Sequence, residues 1–272
     1  VRGARISRGT NVYLCLNATT GEMLAVKQFT FNHAAESPGQ PSARALKREI
    51  QIMQHLTHPN VVECIGFQEI LGGDLFLFTE YVSGGSIRDS IQKTGIFGED
   101  AAKSCTFQVL AGLVHLHGRG FVHGELKSSK ILVDPTGICK IGGLGCSQTE
   151  LRDNSRAVPC DIFWTAPEII RTQYKAYDGK ADIWSIGCIV LEMLTGKRPW
   201  YDNEAVAVMF KLYNQTLCPR PPADVVLSPV AEDFLERCLA LNPVDRMSAV
   251  QLRQHPFLVL SPNWSFEGSG PA

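Results

Sequence analysis

The sequence lacks any apolar run long enough to cross a bilayer. A membrane-spanning helix needs about 20 predominantly apolar residues, but Ser185, Gly187 and Glu192 interrupt the most apolar stretch, residues 183–194. There is also no initial Met and no signal-peptide pattern. We therefore expect no membrane partner, and we expect a domain cut from a longer protein.

An excess of charge and a disulfide-like cysteine pattern are missing as well. Lys and Arg number 26 and Asp and Glu 27, which gives a formal charge of -1 and favours no nucleic acid or other polyanion as a partner. The nine cysteines are odd in number and never spaced Cys-x-x-Cys. This usage indicates free thiols in a reducing, cytoplasmic setting and no zinc site.

The residues that are present predict a small β-rich part first. Strand patterns and one amphipathic helix alternate before about residue 83, with turns rich in Gly, Pro and Ser between them. The predicted elements are a hairpin of residues 12–16 and 24–29, a helix carrying Leu46, Ile50, Met53 and Leu56, and strands at residues 61–70 and 75–81.

Helical periodicity replaces the strand patterns after residues 83–86, whose Ser-Gly-Gly-Ser sequence predicts a flexible joint. The predicted helices are residues 86–93, 99–117, 181–195, 204–213 and 229–238. The sequence therefore predicts an α+β protein of two lobes, with a ligand cleft beneath the joint.

Short motifs recur across both lobes in a fixed order. They are Ala25-Val26-Lys27, Arg48-Glu49-Ile50, His58-Pro59-Asn60, Glu80-Tyr81-Val82, His123 with Lys127, Ala166-Pro167-Glu168, the run from Asp182 to Gly187, Arg246 and His255-Pro256-Phe257. Each is weak alone, but their order and spacing resemble a eukaryotic protein kinase domain of the mitogen-activated protein kinase kinase kinase group. The resemblance implies the bilobal kinase fold, with a β-rich N-lobe at residues 1–82, a helical C-lobe at 83–260 and a tail at 261–272.

The resemblance also implies where a nucleotide would bind. Lys27 and Glu49 would form an ion pair, although alone they would be a solvated strand lysine and a solvated helix acid. The remaining implied binding residues are Gly9 in the glycine-rich loop, Val12, Ala25 and Leu132 around the adenine, Thr79 at the inner pocket, and the backbone of Glu80 and Val82. From the pattern alone, the three aliphatic residues are equally well explained as core.

The catalytic loop departs from the family pattern. The sequence His123-Gly124-Glu125-Leu126-Lys127-Ser128-Ser129-Lys130 stands where the family has His-Arg-Asp, then Leu-Lys, and an Asn five residues after the Asp. Glu125 keeps a carboxylate on a side chain one methylene longer. Lys130 replaces a metal-binding Asn, and an ammonium has no lone pair for a divalent ion.

The other phosphate-handling motifs are altered too. Gly143 lies where the family's Asp-Phe-Gly motif has the Asp that binds magnesium, and the glycine-rich loop keeps only Gly9 of its usual three glycines. The sequence therefore predicts no conventional magnesium site, and predicts that ATP, if bound, binds independently of magnesium. Glu125, Lys127 and Lys130 occupy the degenerate catalytic positions.

The resemblance also implies several contacts that would hold the fold and the activation segment in place. Glu168 and Arg246 would form a long-range ion pair, Asp182 would bind the backbone around His123, and Leu144 would complete an apolar column with His123, Met53 and Cys64. Gly124 replaces the Arg that would receive a phosphate from Thr149 or Ser155 in the activation segment. Asp161, where the family has Thr or Ser, would pair with Lys127, and Lys130 with Glu125 or a nucleotide phosphate. Drift of a relaxed site explains these substitutions equally well.

Three interpretations follow for function. The first is a pseudokinase that acts as a scaffold or allosteric partner for proteins of a mitogen-activated protein kinase cascade. The second is an ATP-dependent serine/threonine kinase that uses Lys27, Lys127 and Glu125 without the usual metal ligands. The third is a degenerate gene copy without function.

Overall fold

A computed structural model describes residues 2–6, 11–31, 43–70, 74–144, 161–171 and 178–266. The predictions made for Gly9, Thr149 and Ser155 lie outside these residues. The strands are β1 (Arg2–Arg5), β2 (Val12–Leu16), β3 (Met23–Phe29), β4 (Cys64–Glu69), β5 (Leu75–Glu80), β6 (Ile131–Val133) and β7 (Cys139–Ile141). The helices are α1 (Ala43–Met53), α2 (Ile87–Thr94), α3 (Glu99–His117), α4 (Pro167–Arg171), α5 (Lys180–Thr195), α6 (Ala205–Asn214), α7 (Pro229–Cys238) and α8 (Ala249–Leu252).

The small lobe is a five-stranded antiparallel sheet with strand order β1-β2-β3-β5-β4. The predicted hairpin is present, with Tyr13 opposite Val26. The predicted helix is α1, and its periodic positions Leu46 and Ile50 are fully buried, as expected for an amphipathic helix that covers a sheet. It ends at Met53, so Leu56, which was predicted to belong to it, lies just after the helix. The α+β, two-lobed architecture predicted from the sequence is confirmed.

The large lobe is organised around α5. Its residues are almost all buried, including Ile183, Trp184 and Val190, which is typical of a helix that is apolar on every side. Ser228 caps α7 by accepting the backbone N–H of Ala231, and the capping box Ser86–Asp89 starts α2. In the described parts of the chain, no helix combines the length and the apolar character needed to span a membrane.

The structure adds elements that the sequence patterns did not predict. These are β1 at the sheet edge, the two-stranded sheet of β6 and β7, and the short helices α4 and α8. The predicted strand at residues 61–70 is shorter, since regular pairing begins at Cys64 and Val61 makes only an isolated bridge to Ile141. That bridge joins the small lobe to β7.

An apolar core continues through both lobes. Met53 on α1, Cys64 on β4 and Leu144 after β7 belong to one buried cluster, and His123 is buried as well. Leu144, which stands where the family has Phe, therefore retains an apolar role in the core. Burial of such side chains stabilises by about 25 cal/mol per Å² of apolar area.

The predicted ion pair of Glu168 and Arg246 is present. Arg246 donates two hydrogen bonds to the Glu168 carboxylate, from Nη1 at 2.6 Å and Nη2 at 2.8 Å, and its side chain is 0% exposed. The guanidinium also lies over the ring of Trp184 and donates to the carbonyl of Ala240 at 2.7 Å. This bidentate pair fastens α4 to the segment that precedes α8.

Asp182 organises the loop after α3. Its carboxylate accepts the backbone N–H groups of His123 at 2.9 Å and Gly124 at 2.8 Å, and the Nε2 of His117 lies 2.8 Å away. Burial raises the pKa of Asp182, but the hydrogen bond and charge of His117 and the Gly124 N–H outweigh it and hold this pKa below its ordinary value. The predicted structural role of Asp182 is confirmed.

Candidate functional site

The linker between the lobes begins at the end of β5. Ala25 lies opposite Thr79 in the sheet, and the Thr79 hydroxyl donates to the Ala25 carbonyl at 3.4 Å. Val82 is buried. Thr79, Glu80 and Val82 therefore lie in the strand end and linker where the sequence predicted an inner pocket and an adenine edge.

The Glu80 side chain is bound on the linker itself. Lys140 on β7 donates to both Glu80 carboxylate oxygens, at 2.7 and 2.6 Å, and the Glu63 N–H donates to Oε1 at 2.8 Å. The carboxylate is thus held by neighbouring protein groups, and only the backbone of Glu80 is assigned to a ligand. Sequence reasoning missed this ion pair, because residues 80 and 140 become neighbours only through the tertiary fold.

The three predicted adenine neighbours come from different strands. Val12 and Ala25 lie on the adjacent strands β2 and β3, whereas Leu132 lies on β6 in the large lobe, where it bridges to Ser86. All three are only partly buried. Their contact with a nucleotide stays a prediction.

Lys27 and Glu49 lie on the elements that the resemblance implied. Lys27 is on β3 opposite Leu77, and its Nζ lies 4.6 Å from the centroid of the Phe29 ring. Glu49 on α1 is 7% exposed. Because a buried carboxylate needs a compensating partner, this burial is consistent with the predicted ion pair, which stays a prediction.

The catalytic-loop region is shaped by a buried histidine. The Glu125 N–H donates to His123 Nδ1 at 3.2 Å, so the ring proton lies on Nε2, which donates to the Gly142 carbonyl at 3.1 Å. Burial lowers the pKa of His123 and favours this neutral ring. His123 therefore ties the loop to the residues after β7, which supports the predicted structural role.

Gly124 and Glu125 follow this histidine. Gly124 has φ of +73°, a left-handed conformation that glycine adopts without strain. Glu125 is partly buried and carries the only carboxylate among residues 123–130. Its position on the loop suits the degenerate catalytic role that the resemblance implied, although that role stays a prediction.

Lys130 and Gly143 pack directly against each other. A Cβ atom placed on Gly143 would lie 2.4 Å from Cδ and 2.7 Å from Nζ of Lys130, closer than carbon and nitrogen atoms can approach without repulsion. The Lys130 side chain therefore fills the volume that a side chain at position 143 would need. In this conformation of Lys130, position 143 accommodates glycine without a clash.

These two residues do not fit a divalent cation. Gly143 offers no side-chain oxygen, and the Lys130 ammonium has three N–H donors and no lone pair. Magnesium requires oxygen ligands in near-octahedral geometry, and an ammonium in the same volume repels it. The packing of these two residues is thus consistent with the magnesium-independent cleft expected from the sequence, which stays a prediction.

Lys127 forms the predicted ion pair with Asp161. Its Nζ lies 3.2 Å from the Asp161 carboxylate, and this hypothesis from the sequence is confirmed. A pocket surrounds the pair. It is lined by Gly124, Glu125, Leu126, Lys127, Asp161, Trp164, Thr165 and Ser185. Lys127 is thus neutralised by an acid from the segment before α4.

A buried acid on α5 lies close to this pocket. Glu192 accepts a hydrogen bond from Trp164 Nε1 at 3.0 Å. Burial, assisted by the negative charge of Asp161, raises the pKa of Glu192 to about 7, because the charged form loses its hydration. The sequence signal was an isolated Glu in an otherwise apolar helix, which sequence reasoning used only to exclude a membrane span.

We expect Glu192 to make stability depend on pH. Its folded-state pKa of about 7 exceeds the ordinary value of 4.5, so its contribution is fully present below pH 4.5 and is lost as the pH rises through 7. The loss is about 3 kcal/mol at 1.36 kcal/mol per pKa unit. Glu192→Gln is expected to remove this slope, measured as the free energy of unfolding in urea between pH 5 and 8.

The exposed Glu236 on α7 provides a matched control. Glu236→Gln removes the same charge at the surface and is expected to leave the pH slope of the parent chain in place. Equal slopes for the parent and Glu192→Gln would contradict the assignment to Glu192.

Known proteins resemble this chain over nearly its whole length. The family model of the protein kinase domain matches residues 6–258. The mitogen-activated protein kinase kinase kinase MCK1 of Pyricularia oryzae is 41% identical over 278 residues, covering 97% of this chain and 18% of MCK1. The mitogen-activated protein kinase kinase kinase mkh1 of Cytospora mali is 39% identical over 278 residues, covering 98% of this chain and 15% of mkh1.

A yeast protein gives a similar match. The serine/threonine-protein kinase BCK1/SLK1/SSP31 of Saccharomyces cerevisiae is 39% identical over 278 residues, covering 99% of this chain and 19% of that protein. The chain therefore spans less than a fifth of the length of these three relatives.

Proposed function

Since the chain belongs to the protein kinase domain family, we propose that it is a pseudokinase, a kinase-like domain of the mitogen-activated protein kinase cascade that acts by binding other proteins. Its similarity is to mitogen-activated protein kinase kinase kinases. Phosphoryl transfer depends mostly on positioning and on charge neutralisation by magnesium. The proposal is that this second requirement has been lost.

One observation carries the proposal. The Lys130 side chain occupies the volume beside Gly143, so that an ammonium lies next to the position at which the family has its metal-binding Asp. The pairing of Lys127 with Asp161 supports the proposal, because it ties up a second cation of the catalytic loop. Lys130 and Asp161, which both depart from the family pattern, change how charge is balanced in this part of the cleft.

The principal test is a phosphate-transfer assay with radiolabelled ATP and a generic acceptor protein. We expect no incorporation above that of a protein-free blank with either magnesium or manganese. The Lys27→Ala variant separates genuine activity from a contaminating kinase, since incorporation by this chain would disappear in the variant. Incorporation that depends on Lys27 would contradict the pseudokinase proposal.

The same assay tests the second candidate, an atypical serine/threonine kinase. Two observations favour it: the partly buried carboxylate of Glu125 on the catalytic loop and the nearby Lys127 in the same pocket. In this alternative, Glu125 orients the attacking hydroxyl and Lys127 leaves Asp161 to contact the phosphate. A Lys27-dependent signal that Glu125→Gln abolishes would establish this alternative.

We also propose that the cleft binds ATP without magnesium. Lys27 and Lys130 provide positive charge for the phosphates, and Val12, Ala25 and Leu132 provide apolar surface for the base. A positively charged side chain neutralises a phosphate oxygen without any metal ligand. Lys130 thus takes over part of the charge balance that magnesium supplies in other members of the family.

Thermal and chemical unfolding with ATP in the presence of EDTA tests nucleotide binding. At 100 times the dissociation constant, we expect stabilisation by about 2.7 kcal/mol, with no further gain from magnesium. Lys27→Ala is expected to reduce the stabilisation, whereas Lys93→Ala, at an exposed position on α2, is expected to retain it. Absence of any ATP effect in EDTA would contradict the proposal.

The partners and the setting follow from the same family. We propose protein partners in a kinase cascade, because the relatives are mitogen-activated protein kinase kinase kinases. A cytoplasmic setting is proposed with them. It is supported by the cysteines that the structure describes, each of which is a free thiol.

A further inference from the structure

Four basic side chains meet outside the candidate site. His58 lies in the loop between α1 and β4, His115 in the last turn of α3, Arg119 just after that helix and Arg253 at the end of α8. We call them the basic cluster. Three separate parts of the chain contribute to it, so the fold and not a single charge run brings these side chains together.

The contacts within the basic cluster are close. The rings of His58 and His115 have centroids 4.8 Å apart, and Arg119 Nη1 lies 3.1 Å from His115 Nδ1. The Arg253 guanidinium carbon lies 4.5 Å from the centroid of the Phe107 ring, which fixes one face of this side chain.

The hydrogen bonds define which ring nitrogens carry protons. The Asn60 N–H donates to His58 Nδ1 at 3.0 Å, so the proton of the neutral His58 ring lies on Nε2. Arg119 can only donate, so His115 Nδ1 accepts from it and the His115 proton also lies on Nε2. The basic cluster therefore presents N–H donors on every member.

The electrostatic environment is positive. Burial lowers the pKa of His58, and the charges of Arg253 and Arg119 lower it further. Burial likewise lowers the pKa of His115, with added effects of Arg119 and His58. The permanent cations that act on these two rings are Arg119 and Arg253, and an incoming anion would be attracted by both of them.

Two buried donors of the basic cluster lack an acceptor. Within the described ranges, His115 Nε2 and Arg253 Nε are buried and have no hydrogen-bond partner. A buried donor without an acceptor costs about 1–3 kcal/mol. Native proteins usually satisfy such groups, so an acceptor that reached these two donors would be bound favourably.

We propose that the basic cluster is a binding site for a phosphate monoester dianion, with the exposed Arg119 as its outer contact. A guanidinium binds phosphate oxygens through parallel N–H donors, and the His58 and His115 Nε2–H groups provide additional donors. The ligand is a phosphorylated side chain of a protein, or inorganic phosphate with the same chemistry. This site is independent of the nucleotide cleft and of the proposed function.

Isothermal titration with inorganic phosphate tests the site, with sodium chloride added to hold ionic strength constant. We expect saturable binding that becomes at least about tenfold weaker in Arg119→Gln. Arg220→Gln removes the same charge at another exposed position and is expected to bind phosphate like the parent chain. Arg119 is exposed, so its variant is expected to keep the parent's circular dichroism spectrum and melting temperature.

Two further experiments identify the site that binds phosphate and the kind of ligand it prefers. In the Lys27→Ala background, where one cation of the nucleotide cleft is absent, Arg119→Gln is expected to weaken phosphate binding by the same factor. A phosphoserine peptide that binds more tightly than phosphate, while its unphosphorylated form does not bind, would identify a protein ligand; equal affinity would identify the free anion. Equal weakening in Arg119→Gln and Arg220→Gln, no effect of Arg119→Gln in the Lys27→Ala background, or no saturable binding would overturn the proposal.

Discussion

Replacing Lys130 by Asn and Gly143 by Asp together is expected to make nucleotide binding depend on a divalent ion. The double variant provides two oxygen-bearing side chains in place of an ammonium and a bare backbone, and oxygen atoms are the ligands that magnesium prefers. Removal of the Lys130 side chain also frees the volume that a carboxylate side chain at position 143 would occupy. ATP affinity is expected to be at least about tenfold higher with magnesium than with EDTA, about 1.4 kcal/mol.

Titration calorimetry of both single variants provides the controls. Gly143→Asp alone places its Cβ 2.4 Å from Lys130 Cδ at a residue with φ of +77°, and is expected to lower the free energy of unfolding by about 1–3 kcal/mol. Lys130→Asn alone is expected to fold normally without gaining the metal dependence. Equal ATP affinity of the double variant with and without magnesium would show that these positions do not determine whether ATP binding depends on magnesium.

Breaking the ion pair between Glu168 and Arg246 is expected to have the largest effect on stability. In Glu168→Gln, the Arg246 guanidinium, whose side chain is 0% exposed, would remain buried without a compensating negative charge. Removal of one partner from a buried pair costs about 3–5 kcal/mol. The measurement is the free energy of unfolding in urea at pH 7.

The exposed Glu236 again provides the matched substitution, and Glu236→Gln is expected to change stability by less than about 0.5 kcal/mol. Arg246 also donates to the carbonyls of Ala240, Lys180 and Leu241, which keep its side chain in place when Glu168 is neutralised. A loss below about 1 kcal/mol in Glu168→Gln would mean that these carbonyls, and not the ion pair, hold the segment.

The elements predicted correctly from sequence are those with a clear periodicity. Alternating residues and a turn defined the hairpin of β2 and β3, and the spacing of Leu46, Ile50 and Met53 defined α1. The strands β1 and β6 were missed for physical reasons. β1 has the sequence Arg-Gly-Ala-Arg, which contains no strand-favouring residue, and β6 has only three residues, so that only pairing with β2 and β7 gives them extended structure.

The same distinction applies to the candidate site, where the positions of residues were predicted but a contact between two loops was not. The order of the motifs along the chain was enough to place Lys27 on a strand and Glu125 and Lys127 on the catalytic loop, because these positions depend only on the local sequence around each motif. The packing of Lys130 against Gly143 was not predicted, since it depends on the distance between two loops and on the direction of one side chain. The pair was visible only as two separate departures from the family pattern.

The hydrogen bonds that Asp182 accepts determine the course of the loop at residues 123 and 124. All three donors belong to the protein itself, so the outline of the loop is encoded independently of any nucleotide, metal or phosphorylated side chain. Residues 125 and 130 could therefore differ among relatives without redirecting this loop. Its scaffold and its chemistry are, in this architecture, specified by separate side chains.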